Sequence, residues 1–253
     1  MTTVQDIFET LQSWAPLSLQ MEFDNSGFLV GHGDHPVTRV LLSLDITREV
    51  IDEASAWGAE LIVSHHPVIF RPARTITDRG GELPLLLAEK GIAAVCMHTN
   101  LDIAQGGVND VLLRLLGAEP EGTLDEDGCG RVGTLPEAMP LTAFLNRCKQ
   151  RLHVPGLRYV DAGKPVQRLA VLGGSGGDEF PCAIAKGCDT YVTADVKYHS
   201  FLDASAQGLN LIDADHFCTE HPVISELTRR LGDYYPELDF RVSQRHGPVI
   251  RFA

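Results

Sequence analysis

Leu61-Ile62-Val63-Ser64-His65-His66-Pro67 is the stretch on which the fold turns. Its first three residues are apolar and two of them are β-branched, so the run predicts a strand inside a sheet. Pro67 stops the chain from continuing as strand or helix. In open α/β sheets, ligands collect at the carboxyl ends of strands. Two adjacent imidazoles at such an end read as metal ligands; taken alone, they read equally well as ordinary loop histidines.

Working outward, residues 40–44 predict a strand. Thr47 then caps a helix that runs to Trp57, with Val50, Ile51 and Ala54 on one face and Gly58 as its stop. Downstream, residues 83–90 predict a helix closed by Gly91, residues 92–97 a strand ending at His98, and residues 107–116 a further helix. Strands alternating with helices imply a parallel α/β sheet. Residues 119–130, rich in acids and glycine, read as a surface loop, and 141–152 as a helix. A second α/β run follows: strand 168–172, the turn Gly173-Gly174-Ser175-Gly176-Gly177, helix 179–186, strand 190–193, helix 196–206, strand 209–213 ending near His216, helix 220–231 and strand 240–242.

The halves repeat. A shift of 129 residues lays Arg39 on Arg168, Ala54 on Ala183, Gly58 on Gly187 and Val63 on Val192, and it puts His65-His66 over Ala194-Asp195. A shift of 118 lays His98-x-x-x-Asp102 on His216-x-x-x-Glu220. The expected fold class is therefore α/β, as two similar, duplicated lobes (1–130 and 131–253) packed around a shared metal cleft. In that arrangement Asp195 is the residue to watch opposite the histidine pair.

The bulk numbers fit this picture. The chain has 253 residues, 44% hydrophobic and 22% charged, an ordinary balance for a globular protein. No apolar run approaches the about 20 residues of a membrane span, and the N-terminus lacks a signal-peptide pattern, so a cytoplasmic location is expected. With a net charge of −13 and only the pair Arg229-Arg230 as a basic run, no nucleic-acid partner is expected. Six cysteines without a Cys-x-x-Cys pair argue against a structural zinc knuckle. Cys218, between two candidate ligands, reads as a buried inert thiol, with redox sensitivity as the other reading.

His65, His66, His98, Asp102, His216 and Glu220 are the candidate ligands. Each has a bland reading: His98 as a hydrogen-bonded core residue, Asp102 as a helix cap, Glu220 as a first-turn acid. His221 and His246 read as surface residues. Imidazole with carboxylate suits zinc, manganese, iron or nickel. One ion needs three or four donors, whereas five or six suit two ions about 3.5–4 Å apart. If the last helix begins early, His216 and Glu220 share one face of it.

With these pieces in order, the chain resembles the Nif-three-like dinuclear metal proteins, often labelled GTP cyclohydrolase I type 2 homologs. The resemblance rests on residues 22–31 (EFDNSGFLVG), 43–47 (SLDIT), 64–67 (SHHP), 98–102 (HTNLD), 173–176 (GGSG), 193–199 (TADVKYH) and 215–220 (DHFCTE). It implies ligation of two divalent ions per chain by His65, His66, Asp102, His216 and Glu220. It also implies a toroidal homohexamer, and a compact form without the inserted middle domain of longer members. Phe23 stands where a Trp is usual and Ala194 where a Gly is usual.

Two ions can convert a bridging water to hydroxide near neutral pH. The expected function is a metal-dependent hydrolase of a nucleotide-like or phosphorylated small molecule, of the GTP cyclohydrolase type. His98, beside the metals, or His199 would carry protons. The glycine turn before a helix reads either as a phosphate cradle or as a tight connection. The alternative is a non-enzymatic metal-binding hexamer acting as regulator, metal reservoir or interaction platform.

Overall fold

The computed structural model describes residues 1–252. In chain order the strands are β1 (Gly27–Val30), β2 (Arg39–Ser43), β3 (Leu61–Ser64), β4 (Ala93–Cys96), β5 (Arg131–Met139), β6 (Arg158–Val160), β7 (Val166–Val171), β8 (Thr190–Thr193), β9 (Asn210–Asp213) and β10 (Asp239–Val242). The α-helices are α1 (Val4–Trp14), α2 (Arg48–Trp57), α3 (Glu82–Lys90), α4 (Thr99–Ile103), α5 (Val108–Leu116), α6 (Leu141–Leu152), α7 (Phe180–Ala185), α8 (Tyr198–Ala206), α9 (His216–Glu220) and α10 (Pro222–Tyr234). Among the described residues no helix is long and apolar enough to cross a membrane.

The chain forms two compact units, each built on a five-stranded sheet. The first takes residues 1–105 and 224–247; the second takes 106–223 and the chain from Pro248 onward. Sequence suggests one division at 130/131; the chain instead leaves the first unit at 105/106 and returns to it at 223/224. Strand β10 pairs with β2 and returns the later segment to the first sheet. The apolar face of α5 (Leu112, Leu113, Leu116) joins the second core beside Phe144, Leu145 and Leu169.

In the first unit the order is β1-β4-β3-β2-β10; β1 is antiparallel to β4 and the other neighbours are parallel. Strands β2, β3 and β4 are almost wholly buried, so they read as apolar runs rather than as alternating patterns. Helix α2 forms where expected: Thr47 Oγ1 accepts from Val50 N at 3.3 Å, and Gly58 ends the helix at φ 77°. Val50, Ile51 and Ala54 pack on Leu41, Ile62 and Ala94. Sequence left α1 unread; Thr3 and Asp6 close its start as a capping box, and Val4, Ile7, Phe8 and Leu11 bury its apolar stripe.

In the second unit the order is β5-β7-β8-β9-β6, with β7, β8 and β9 parallel and both edges antiparallel. Those edge strands, β5 and β6, are also absent from the sequence reading.

The duplication holds at the level of single hydrogen bonds. At an offset of 129 (168 − 39), the pair Val40–Leu61 becomes Leu169–Thr190, in the same parallel register. Glu60 accepts from the backbone N–H groups of Thr38 and Arg39; its counterpart Asp189 accepts from those of Gln167 and Arg168. Arg39 donates to Trp57 O at 3.0 Å, and Arg168 to Lys186 O at 3.1 Å. The third strand follows a second offset: Leu61–Ala93 matches Thr190–Asn210, which is 117 (210 − 93). The difference of 12 (129 − 117) is extra chain between β3 and β4. This register corrects one sequence alignment. His98 corresponds to Asp215, not His216, and the two occupy the N-cap positions of α4 and α9.

Each carboxylate clamp ties the start of one strand to the start of the next. Glu60→Ala and Asp189→Ala should each lower unfolding free energy by about 1.5–3 kcal/mol, the range for hydrogen bonds to a charged group. Urea titration checks this, and an unchanged midpoint for either variant contradicts the clamp.

Candidate metal centre

Parallel strands deliver their carboxyl ends to one edge, and the first unit places its donors there. His65 and His66 follow β3 directly, and His98 follows β4 after Met97. The ring centroids of His98 lie 5.2 Å from His65 and 5.5 Å from His66. One nitrogen from each of the three rings falls within 4.8 Å of the others. Asp102, on the short helix α4, brings Oδ1 to 3.6 Å from His65 Nε2.

The orientation of these rings is fixed from behind. His65 Nδ1 donates to the Met97 carbonyl at 2.8 Å. His66 Nδ1 donates to Asp45 Oδ1 and His98 Nδ1 to Asp24 Oδ1, both at 2.7 Å. A carbonyl or an ionised carboxylate only accepts, so in the neutral rings the hydrogen sits on Nδ1 and the lone pair on Nε2. Metal-binding histidines are typically held in this way.

Asp24 is a hub. Its side chain is fully buried and also accepts from Ser26 Oγ (2.8 Å), Thr99 N (3.0 Å) and Thr99 Oγ1 (2.5 Å). Burial alone would raise its pKa; hydrogen bonds from His98, Thr99 and Ser26 outweigh that and hold it well below the usual carboxylate range. Asp45 is held low in the same manner, against burial, by hydrogen bonds from His246 and His66.

The second unit carries its own donors. Helix α9 begins at His216, so His216 and Glu220 share one face, with Nε2 and Oε2 3.1 Å apart. His216 Nδ1 donates to Asp195 Oδ2 at 2.8 Å. Asp195 stands just past β8 at φ 54°, a left-handed conformation unusual for a residue with a Cβ. The glycine turn has a steric explanation here. Gly174 has φ 71°, and a Cβ on it would collide with Glu220 Oε1 and reach 3.3 Å from His216 Nε2. The absence of a Cβ at this point of the turn therefore makes room for these two donors.

Both donor groups fit a divalent ion. Two ligand atoms at about 2.1 Å from a tetrahedral ion stand about 3.4 Å apart. The 3.6 Å between His65 and Asp102 and the 3.1 Å between His216 and Glu220 lie close to that spacing. The nitrogen–carboxylate chemistry suits zinc, manganese, iron and nickel alike.

His199 is exposed on α8. Cys218 is buried in the second core, and burial, then the charge of Asp215, pushes its thiol up to about 12, which disfavours the nucleophilic thiolate. Asp24, Asp45 and His246 escaped the sequence reading as site residues. The first two lie inside quoted motifs, but nothing in sequence joins His246 to a partner 201 positions away.

A sequence profile of the DUF34/NIF3 (NGG1p interacting factor 3) family matches residues 2–248. The chain belongs to this family. A Clostridium perfringens protein named GTP cyclohydrolase 1 type 2 homolog is 36% identical over 259 residues, spanning 98% of this chain and 99% of its own. Among solved structures, a Staphylococcus aureus hypothetical protein superposes with a TM-score of 0.92 at 28% identity, covering 99% of both chains. A Bacillus cereus protein related to NIF3 gives 0.91 at 26% identity, covering 100% of this chain and 99% of that one.

In this DUF34/NIF3 protein, His216 sits between two carboxylates. Burial alone would lower its pKa, but Glu220 and then Asp195 raise it to about 9. A raised folded-state value stabilises the metal-free protein fully below the unfolded value near 6.5, and that stabilisation is lost as pH rises through about 9. Thermal unfolding of chelator-treated protein should therefore show the stability advantage over His216→Gln shrinking between pH 6.5 and 9. An advantage that is flat or grows across that window contradicts the assignment.

Proposed function

We propose that this protein is a metal-dependent hydrolase acting on a nucleotide-like or phosphorylated small molecule. In this reading two divalent ions are held by His65, His66, Asp102, His216 and Glu220. The observation that carries it is the set of imidazoles whose Nδ1 hydrogens are all committed to acceptors, so that each presents Nε2. When bound, such ions supply a hydroxide at neutral pH and stabilise developing charge on oxygen. His98, held by Asp24 beside His65 and His66, is placed to carry a proton to or from the substrate. The names of the relatives make GTP the first substrate to try.

A second feature supports a ring-bearing substrate. Phe23 (67% exposed) and Phe70 (44% exposed) stand edge to face at 6.5 Å, and Phe70 stands edge to face with His98 at 6.0 Å. Their loops are tied together, because Asn25 Nδ2 donates to Ile69 O at 2.5 Å. Held phenyl faces beside the donors offer a stacking surface for a planar base.

Metal per chain and turnover across a panel of nucleotides and phosphoesters test the reading. Turnover that vanishes in His65→Ala supports the hydrolase. Phe70→Ala should raise KM for a nucleotide about fivefold, the equivalent of about 1 kcal/mol of stacking, with metal content unchanged and ribose phosphates unaffected. Stoichiometric metal without turnover favours the second reading: a metal-binding homohexamer serving as regulator, metal reservoir or interaction platform. Exposed Tyr198 and Leu202, one turn apart on α8, offer apolar surface to a second copy. Light scattering in solution tests the hexamer.

A further inference from the structure

Sequence reads His246 as a surface histidine. In the structure its side chain is only 11% exposed, and Nε2 lies 2.7 Å from Asp45 Oδ2. The other oxygen of Asp45 accepts from His66. One carboxylate thus joins a residue near the end of the chain to a candidate metal ligand.

The route by which His246 arrives is specific. Strand β10 runs parallel to β2, in the register Asp239–Arg39 to Val242–Leu42. Parallel strands finish at the same edge, so the residues after β10 and those after β2 emerge side by side. Asp45 follows β2 by two residues. Beyond β10 the backbone stays pinned: Ser243 N donates to Leu42 O at 2.8 Å. Ser243 Oγ and Gln244 N donate to Glu53 on α2 at 2.5 and 3.0 Å, and Arg245 N donates to Ser243 Oγ at 3.2 Å. Arg241 further stacks its guanidinium 4.2 Å over the Trp57 ring. Three residues in succession are thus anchored before the imidazole reaches Asp45.

A carboxylate held at one oxygen can still turn about its own axis. Held at both, its plane is set, and so is the direction from which it holds His66. We infer that His246 is a positioning residue for His66: by bonding the second oxygen of Asp45, the C-terminal segment fixes the His66 ring with Nε2 presented to the metal. The histidines of this edge differ in this respect. His65 rests on a main-chain carbonyl, and Asp24 is held by Ser26 and Thr99. Asp45 has a 40% exposed side chain and is braced by His246 instead. The inference rests on the metal reading above and reaches beyond it, since it makes metal affinity depend on a segment that supplies no ligand.

The test uses the full-length protein and zinc, titrated against a chromogenic chelator at fixed pH, with thermal unfolding as a check on folding. His246→Leu keeps the bulk and removes the donor; His246→Gln keeps a donor. Zinc affinity should fall about tenfold in His246→Leu, the lower end of the loss typical for an outer hydrogen-bond partner, and should largely recover in His246→Gln. In an Asp45→Asn background, His246→Leu should cost nothing further, because the effect passes through Asp45. Nitrogen-15 spectra should show His66 as the Nδ1–H tautomer in wild type and in His246→Gln, and as a mixture in His246→Leu. Unchanged zinc affinity in His246→Leu, equal losses in the two variants, or a loss that persists with Asp45→Asn overturns the inference. A wild-type protein that takes up no zinc defeats the metal reading itself, a different result.

Discussion

An oxygen that can accept but not donate stands behind each candidate histidine in either unit, and the donor groups of both units depend on that asymmetry. The Met97 carbonyl, Asp45, Asp24 and Asp195 each draw the hydrogen onto Nδ1. Each ring then has one defined donor nitrogen and one defined face. The fold serves this constraint directly. Parallel β2, β3 and β4 end together, so Asp45, His66 and His98 reach one edge from three stretches of sequence. In the second unit β8 and β9 do the same for Asp195 and His216. The carboxylates must stay ionised to serve as acceptors, and the donors crowded on Asp24 and Asp45 secure that despite burial.

Most of the scaffold is legible in sequence because its signals are local. Residues 40–43, 61–63 and 190–193 are short apolar or β-branched runs, and Thr47 and Gly58 bracket α2 as cap and stop. What escapes is set by tertiary pairing. Strands β5 and β6 lie on edges, and β6 and the second half of β5 are largely exposed, so neither shows the continuous apolar run of a buried strand. Strand β10 is recognisable as a strand, but nothing in its residues says that it joins the first sheet. That pairing makes the units discontinuous.

The candidate site was legible in its donors and obscure in their supports. His65, His66, Asp102, His216 and Glu220 are residue types that announce themselves beside strand ends. Asp24, Asp45 and His246 matter through partners 74, 21 and 201 positions away, distances over which sequence carries no spacing signal. The misalignment of His98 has a related cause. His-x-x-x-carboxylate is a pattern both halves contain, and matching it shifts the register by one against the backbone pairing, where His98 meets Asp215. Side-chain similarity and structural equivalence disagree here, and the strand register decides.

That disagreement shows how two similar units came to differ. The carboxylate clamp at the strand starts is retained in both, Glu60 in one and Asp189 in the other, because it holds the sheet. At the strand ends the equivalent positions carry different chemistry. His66 corresponds to Asp195, so a candidate ligand in one unit is a support in the other. Asp215 spends its side chain capping α9 through Cys218 N, whereas His98 caps nothing on α4 and turns its ring to Asp24. The helix that follows therefore begins differently: Thr99 Oγ1 bonds to Asp24 in the first unit, while its counterpart in the second is the candidate ligand His216. A shared scaffold fixes where side chains emerge, and single substitutions at those points decide whether each one holds a metal or holds a neighbour that does.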